Sequence, residues 1–187
     1  NTTLTNPALP TVNASNSTSA VTCAGSNVTL RATDGYASYA WAGPAGVTIN
    51  NGSDSVATAA APANGDVFTV TITDALGCTN TASTTVAITA NQTVSVAVSA
   101  FPGLSIVSGE PLTFTATPTN GGASPVYAWY VNDVLVPDST GATLTSSSFN
   151  DGDQVRVLLT SSLPCTVANP VYSAPYIPND INAQLPT

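Results

Sequence analysis

The stretch Gly65-Asp66-Val67-Phe68-Thr69-Val70-Thr71-Ile72-Thr73-Asp74-Ala75-Leu76-Gly77-Cys78 returns 87 residues later as Gly152-Asp153-Gln154-Val155-Arg156-Val157-Leu158-Leu159-Thr160-Ser161-Ser162-Leu163-Pro164-Cys165, with no gap between the two copies. Each copy reads as a Gly-Asp turn, a strand with alternate apolar residues, a second turn and a cysteine. In a strand, successive side chains point to opposite faces. Phe68, Val70 and Ile72 therefore share one face with Thr69, Thr71 and Thr73 opposite, and Val155, Val157 and Leu159 face inward in the second copy. Alternation of this kind marks a half-buried strand, and its recurrence marks two domains of one type.

The repeat extends beyond this strand. The block Val107-Ser108-Gly109-Glu110-Pro111-Leu112-Thr113-Phe114-Thr115-Ala116-Thr117 aligns on Cys23 to Thr33 at an offset of 84, and Tyr127-Ala128-Trp129 aligns on Tyr39-Ala40-Trp41 at an offset of 88. Three blocks thus recur in one order, with small changes in the loops between them. In the first domain the predicted strands are a weak one at Thr11 to Ala14, then the stretch Cys23 to Thr33 with Val28, Leu30 and Ala32 facing inward, Tyr36 to Trp41, Val47 to Ile49, Ser55 to Thr58, Val67 to Thr73 and Thr81 to Thr89. Asn51-Gly52 supplies a hairpin signal between the fourth and fifth. In the second domain strands start at Thr93, and the last, Asn169 to Ile177, holds Pro170 and Pro175 with Pro178 just beyond. Proline cannot donate to a ladder, so this strand belongs at an edge. No helix is signalled.

The expected organisation is a lead-in at 1–9, one domain at 10–90, a second at 91–178, and a tail or linker at 179–187. Ala90-Asn91-Gln92 is the only connector, too short for free hinging. It predicts two domains end to end, as a stiff rod.

Composition limits the functions open to such a chain. Of its 187 residues only 6% are charged, far below the roughly one quarter of ordinary globular chains. Solubility falls to Ser, Thr and Asn. Arg31 and Arg156 are the only basic residues against ten acidic ones, for a net charge of −8, which argues against nucleic acid or an anionic membrane as partner. Neither an apolar run of about 20 residues nor a basic-then-apolar leader is present, so membrane insertion is not expected. The Thr-rich strands, the absence of Met and His, and the placing of the cysteines predict a secreted or cell-surface protein.

With seven or so short strands per unit, a Trp on the third core strand and closely spaced turns, the chain fits an immunoglobulin-like sandwich. More narrowly, Cys23-Ala24-Gly25 before one strand and Thr71-Ile72-Thr73-Asp74-Ala75-Leu76-Gly77-Cys78 at the end of another resemble the PKD-like repeats of very large Bacteroidota surface proteins. In the second unit, Thr115-Ala116-Thr117-Pro118-Thr119-Asn120-Gly121-Gly122, Tyr127-Ala128-Trp129-Tyr130-Val131-Asn132 and Thr160-Ser161-Ser162 resemble the same group. The resemblance spans nearly all of the chain outside its termini. It includes gliding-motility adhesins and other proteins exported by the type IX system, and so implies an extracellular stalk or adhesin role whose partners are neighbouring repeats. It also implies that a cysteine before the second strand pairs with one after the sixth, here Cys23 with Cys78. Closing 55 residues, such a bridge stabilises by about 4 kcal/mol in the chain-entropy model; the alternative is two reduced, buried thiols. Val107 replaces the matching cysteine in the second unit, leaving Cys165 either a lone thiol or an intermolecular attachment point.

Catalysis has little to draw on. There is no His, so Ser-His-Asp and Cys-His chemistries lack a part; Glu110 is the only glutamate, and no carboxylate pair stands in a context that suggests a glycosidase. No enzyme activity and no cofactor are expected. Asp66, Asp151 and Asp153 are candidate calcium ligands, although each sits where a turn wants Asp for backbone reasons. Trp41 and Trp129 either pack in the core or stack on sugars. Tyr36, Tyr130, Tyr172 and Tyr176 are better candidates for an exposed glycan-stacking platform. Asn13, Asn16, Asn27, Asn51 and Asn91 head Asn-X-Ser/Thr triplets, which arise by accident in so Ser/Thr-rich a chain. By the resemblance, Ser55 and Ser139 in Asp54-Ser55-Val56 and Asp138-Ser139-Thr140 are candidate O-glycosylation sites. Two further roles stay open: a glycan-binding module, and a filament subunit in which 1–9 or 179–187 adds a strand to a neighbour.

Overall fold

The computed structural model describes residues 9–17, 21–103 and 109–178. The tail at 179–187, nearly all of the lead-in at 1–9, and Val107 lie outside them. The chain divides into two compact units, Asn1–Asn91 and Gln92–Thr187. All regular structure among the described residues is β.

The first unit contains β1 (Ala14–Asn16), β2 (Val28–Ala32), β3 (Ser38–Ala42), β4 (Ile49–Asn50), β5 (Val56–Ala59), β6 (Val67–Thr73) and β7 (Thr79–Thr85). One sheet has the order β1-β2-β5-β4 and the other β3-β6-β7, all pairs antiparallel. Lettered in chain order these are ABED and CFG, the seven-strand immunoglobulin-type sandwich. The alternation read from the sequence sets what lies between the sheets. Val28, Leu30, Ala57 and Ala59 come from one, Trp41, Phe68, Val70 and Ile72 from the other, and Val86 and Ile88 close the end. Asn16 covers the free edge of β7: its Nδ2 donates to Thr84 Oγ1 at 2.7 Å and to the Thr85 carbonyl at 2.9 Å. An edge capped in this way is a poor template for another strand.

The second unit contains β8 (Gln92–Thr93), β9 (Ser95–Phe101), β10 (Leu112–Thr119), β11 (Val126–Val131), β12 (Val134–Leu135), β13 (Thr143–Ser146), β14 (Val155–Thr160), β15 (Thr166–Val167) and β16 (Val171–Tyr172). Its sheets run β13-β10-β9 and β12-β11-β14-β16, with a short parallel pair β15-β8 beside them. Apart from that added pair, the layout repeats the first unit with one change: the fourth strand of the sandwich, β12, pairs with β11 instead of joining the opposite sheet as β4 does. The switch follows from the two-residue turn Asn132-Asp133, whose φ angles of 51° and 65° are those of a tight hairpin turn. As its prolines predict, β16 is an edge strand. Val155, Val157 and Leu159 pack with Trp129, Phe114, Leu112 and Leu144 in the core.

The cysteine pairing expected from the resemblance is corrected. Cys78 is a free, half-buried thiol, whereas Cys23 and Cys165 are each disulfide-bonded. Geometry within the first unit explains why Cys23 and Cys78 do not meet. Cys78 sits in the turn between β6 and β7, its N–H donating to Asp74 Oδ1 at 2.8 Å. Cys23 bridges Thr89, beyond the far end of β7. Seven extended residues separate those ends, about 20 Å at roughly 3.3 Å per residue, against the roughly 7 Å between α-carbons that a disulfide tolerates. Nor is Cys165 a lone thiol. It lies beside the first strand of its unit, its carbonyl accepting the Gln92 N–H at 2.8 Å.

Candidate functional site

The two tryptophans are core residues held by one device. Trp41 Nε1 donates to the Asp54 carbonyl at 3.1 Å and Trp129 Nε1 to the Gly141 carbonyl at 2.9 Å, which satisfies the indole as burial requires. Neither ring is available for stacking.

Two of the three candidate calcium ligands, Asp66 and Asp153, are engaged in a duplicated turn. Asp66 Oδ2 accepts the Ala63 N–H at 2.8 Å, and Asp153 Oδ2 accepts the Asn150 N–H, also at 2.8 Å, at the same offset of 87. Between them Gly65 and Gly152 take φ of 86° and 83°, the left-handed conformation that costs glycine nothing. Asp153 Oδ1 also accepts Asn132 Nδ2 at 2.7 Å. Asp151 is exposed in the same turn. Among the described residues, no three His, Cys, Asp or Glu side chains gather as a metal site. Ser55 and Ser139 are half-buried, the first just before β5 and the second in the loop between β12 and β13.

Of the four tyrosines, the structure brings two together. Tyr36 packs edge-on against Tyr39 and donates its hydroxyl to the Thr11 carbonyl at 2.5 Å in the first unit. Tyr176 lies edge-on to Phe114 at 5.5 Å and packs on the second core. Tyr130 and Tyr172 meet on the outer face of the β12-β11-β14-β16 sheet, centroids 5.6 Å apart and planes at 68°. The guanidinium of Arg156, which stands opposite Tyr130 and diagonal to Tyr172, lies 4.5 Å from the Tyr172 centroid and 6.0 Å from that of Tyr130. Its Nη2 is 2.7 Å from Asp133 Oδ1, while its Nε is buried without a hydrogen-bond acceptor. The hydrogen bond with the Tyr172 side chain, aided by desolvation and by Tyr172's own charge, raises the pKa of Tyr130 above its usual 10.0; Arg156 opposes the rise.

Register shows what else shares this face. Leu135 lies opposite Tyr130, Tyr130 opposite Arg156, and Ala128, Leu158 and Tyr172 form the next row, with Val126 and Thr160 beyond. Tyr172, Leu135 and Val126 are 45%, 52% and 57% exposed. In the first unit the matching rows are Ala42-Thr69-Ser83, Ala40-Thr71-Thr81 and Ser38-Thr73-Thr79. One fold thus carries a Thr/Ser face in one copy and an aromatic, aliphatic face with a charge pair in the other. Sequence reasoning identified Tyr130 and Tyr172 but missed Arg156, Asp133, Leu135 and Leu158. The signal was there: Arg156 stands where Thr69 does, at an outward position of the repeated strand.

The second unit also has a cleft of about 220 Å³ lined by Val131, Val136, Leu144, Ser146, Ser148, Phe149 and Asp153. That is below the roughly 300–1,000 Å³ of ordinary ligand sites.

No family model matches the chain, and no curated relative does. Among solved structures it is similar to murine CEACAM1b, at 13% identity and a TM-score of 0.37, covering 91% of this chain and 99% of that one. It is likewise similar to the fibronectin(III)-like modules of Clostridium thermocellum CbhA, at 13% identity and a TM-score of 0.37, covering 94% and 98%. A third, the ectodomain of mouse nectin-like molecule 4, has 16% identity and a TM-score of 0.35, covering 96% and 67%.

Proposed function

We propose that this chain is an extracellular structural and adhesive segment, a stiff stalk or spacer in a long cell-surface adhesin of the kind that Bacteroidota build from PKD-like repeats. The duplication carries the reading: two sandwiches share one indole anchor and one Asp turn, as expected where the same passive unit is used more than once. Disulfide-bonded cysteines suit an oxidising compartment, and the residue inventory offers no catalytic set. Its partners are then neighbouring repeats of the same protein.

Trypsin and light scattering test this reading. The only cleavage sites, Arg31 and Arg156, lie within β2 and β14, so a protease reaches them only after local unfolding. Native protein stays intact while heat-denatured protein is cut, and it elutes as a discrete 18.7 kDa monomer. Rapid cleavage of native protein or growth into polymers overturns the spacer reading, and polymers favour the filament alternative.

A glycan-binding module is the second reading. The pairing of Tyr130 with Tyr172 on an exposed sheet face favours it.

A further inference from the structure

We infer that the outer face of the β12-β11-β14-β16 sheet binds a neutral, hydroxyl-rich glycan, with Tyr172, Tyr130 and Leu135 as the apolar ledge and Arg156 with Asp133 as its polar contacts. This rests on the glycan-binding reading and assigns its ligand class.

The face stands apart from its own duplicate. Where the first unit places Ala42, Thr69, Thr71 and Thr81, the second places Tyr130, Arg156, Leu158 and Tyr172. Folding alone does not require this, since the Thr-covered version supports the same sandwich. Exposed Leu135 and Val126 extend the ledge at either end.

The chemistry of the face selects its occupant. Beside Tyr130, Arg156 and Leu158 the flanking strands β12 and β16 pair with β11 and β14, so no ladder of backbone groups is free along these rows, and an extended peptide laid on them gains no main-chain hydrogen bonds. Recognition falls to side chains. Aromatic rings meet the C–H face of a sugar ring, and a guanidinium held beside a carboxylate offers donors and acceptors to hydroxyl groups together. Arg156 is the only cation of its unit and is already paired with Asp133 at 2.7 Å, so the site's formal charge is zero. An acidic glycan or anionic lipid would approach a chain of net charge −8 with no uncommitted cation on this face to receive it. A second copy would bring two such charges together. An uncharged polyol matches a face of this charge.

The test is an array of neutral oligosaccharides (glucans, mannans, galactans and chitin fragments) beside sulfated and uronic-acid oligosaccharides, probed with the full chain. Retention is expected on at least one neutral series, to change little with salt, and to fall roughly tenfold in Tyr172→Ala and several-fold in Asp133→Asn. Thr71→Ala, on the matching face of the first unit, is expected to bind as the parent does. Tyr172→Phe keeps the ring and guards against misfolding of the alanine variant; it is expected to retain most of the binding. Retention on acidic sugars alone overturns the neutral assignment while leaving a glycan module standing. Binding that Tyr172→Ala and Asp133→Asn leave unchanged removes this face from it. No retention on any sugar overturns both, and the spacer reading remains.

Discussion

Trp129 donates its indole N–H to the carbonyl oxygen of Gly141 at 2.9 Å, and Trp41 makes the matching bond to Asp54 across an almost equal span of sequence. Each bond ties the third strand of a sandwich to the loop before its fifth. Trp129→Ala is expected to lower the stability of the second unit by about 3–5 kcal/mol, the range for emptying a large aromatic site. Trp41→Ala should do the same to the first. Urea denaturation followed by circular dichroism reads both, and a loss below about 1 kcal/mol in either would deny that the indoles are equivalent anchors.

The Asp66 and Asp153 turns lead to a second expectation. Each carboxylate satisfies a backbone N–H three residues upstream, so Asp66→Ala costs about 1–2 kcal/mol. Asp153→Ala costs more, because Asn132 loses its partner as well. If these groups serve the backbone alone, millimolar calcium or a chelator leaves the melting temperature unchanged. A rise of several degrees with calcium would make them ligands.

Tyr130 should titrate late. Its raised pKa means that the folded chain holds the phenolic proton more tightly than the unfolded chain does. That contribution to stability is complete below about pH 10 and is lost as pH climbs through the folded-state value. Absorbance titration of phenolate should show a late component that Tyr130→Phe removes. Tyr172→Phe, which deletes the hydroxyl that bonds to it, should bring Tyr130 back toward 10.

Cys78 should be the single reactive thiol. Alkylation of unreduced, denatured protein followed by peptide mass spectrometry is expected to label Cys78 alone, with Cys23 and Cys165 labelled only after reduction. A peptide linking Cys23 to Cys78 would contradict the structure.

What the letters made legible was whatever repeats or alternates. Val67 to Thr73 forms β6 with the expected bounds, because a period of two combined with three large apolar residues admits one buried face. The predicted strand at Thr11 to Ala14 instead forms at Ala14–Asn16, because Pro10 and the polar residues around it leave register to tertiary contacts such as Asn16 with Thr84. Pairing of the cysteines was not legible, since position after a strand says nothing about which end of the sandwich it occupies. Half of the tyrosine platform was legible. Tyr176 looked equivalent to Tyr172 in an edge strand, but it bridges Val155 and turns its ring onto Phe114. Arg156 escaped notice because its role depends on β16 bringing Tyr172 alongside β14, a pairing across the connection at 161–170 that holds Cys165 and β15.

The spacer account is tested most directly by pulling single molecules from their two ends, with reductant present so that no disulfide shortens the chain released. It predicts two separate unfolding events, each freeing roughly 300 Å at about 3.5 Å per residue, with resistance typical of packed sandwiches. A single event, or gradual extension without a force peak, would contradict it.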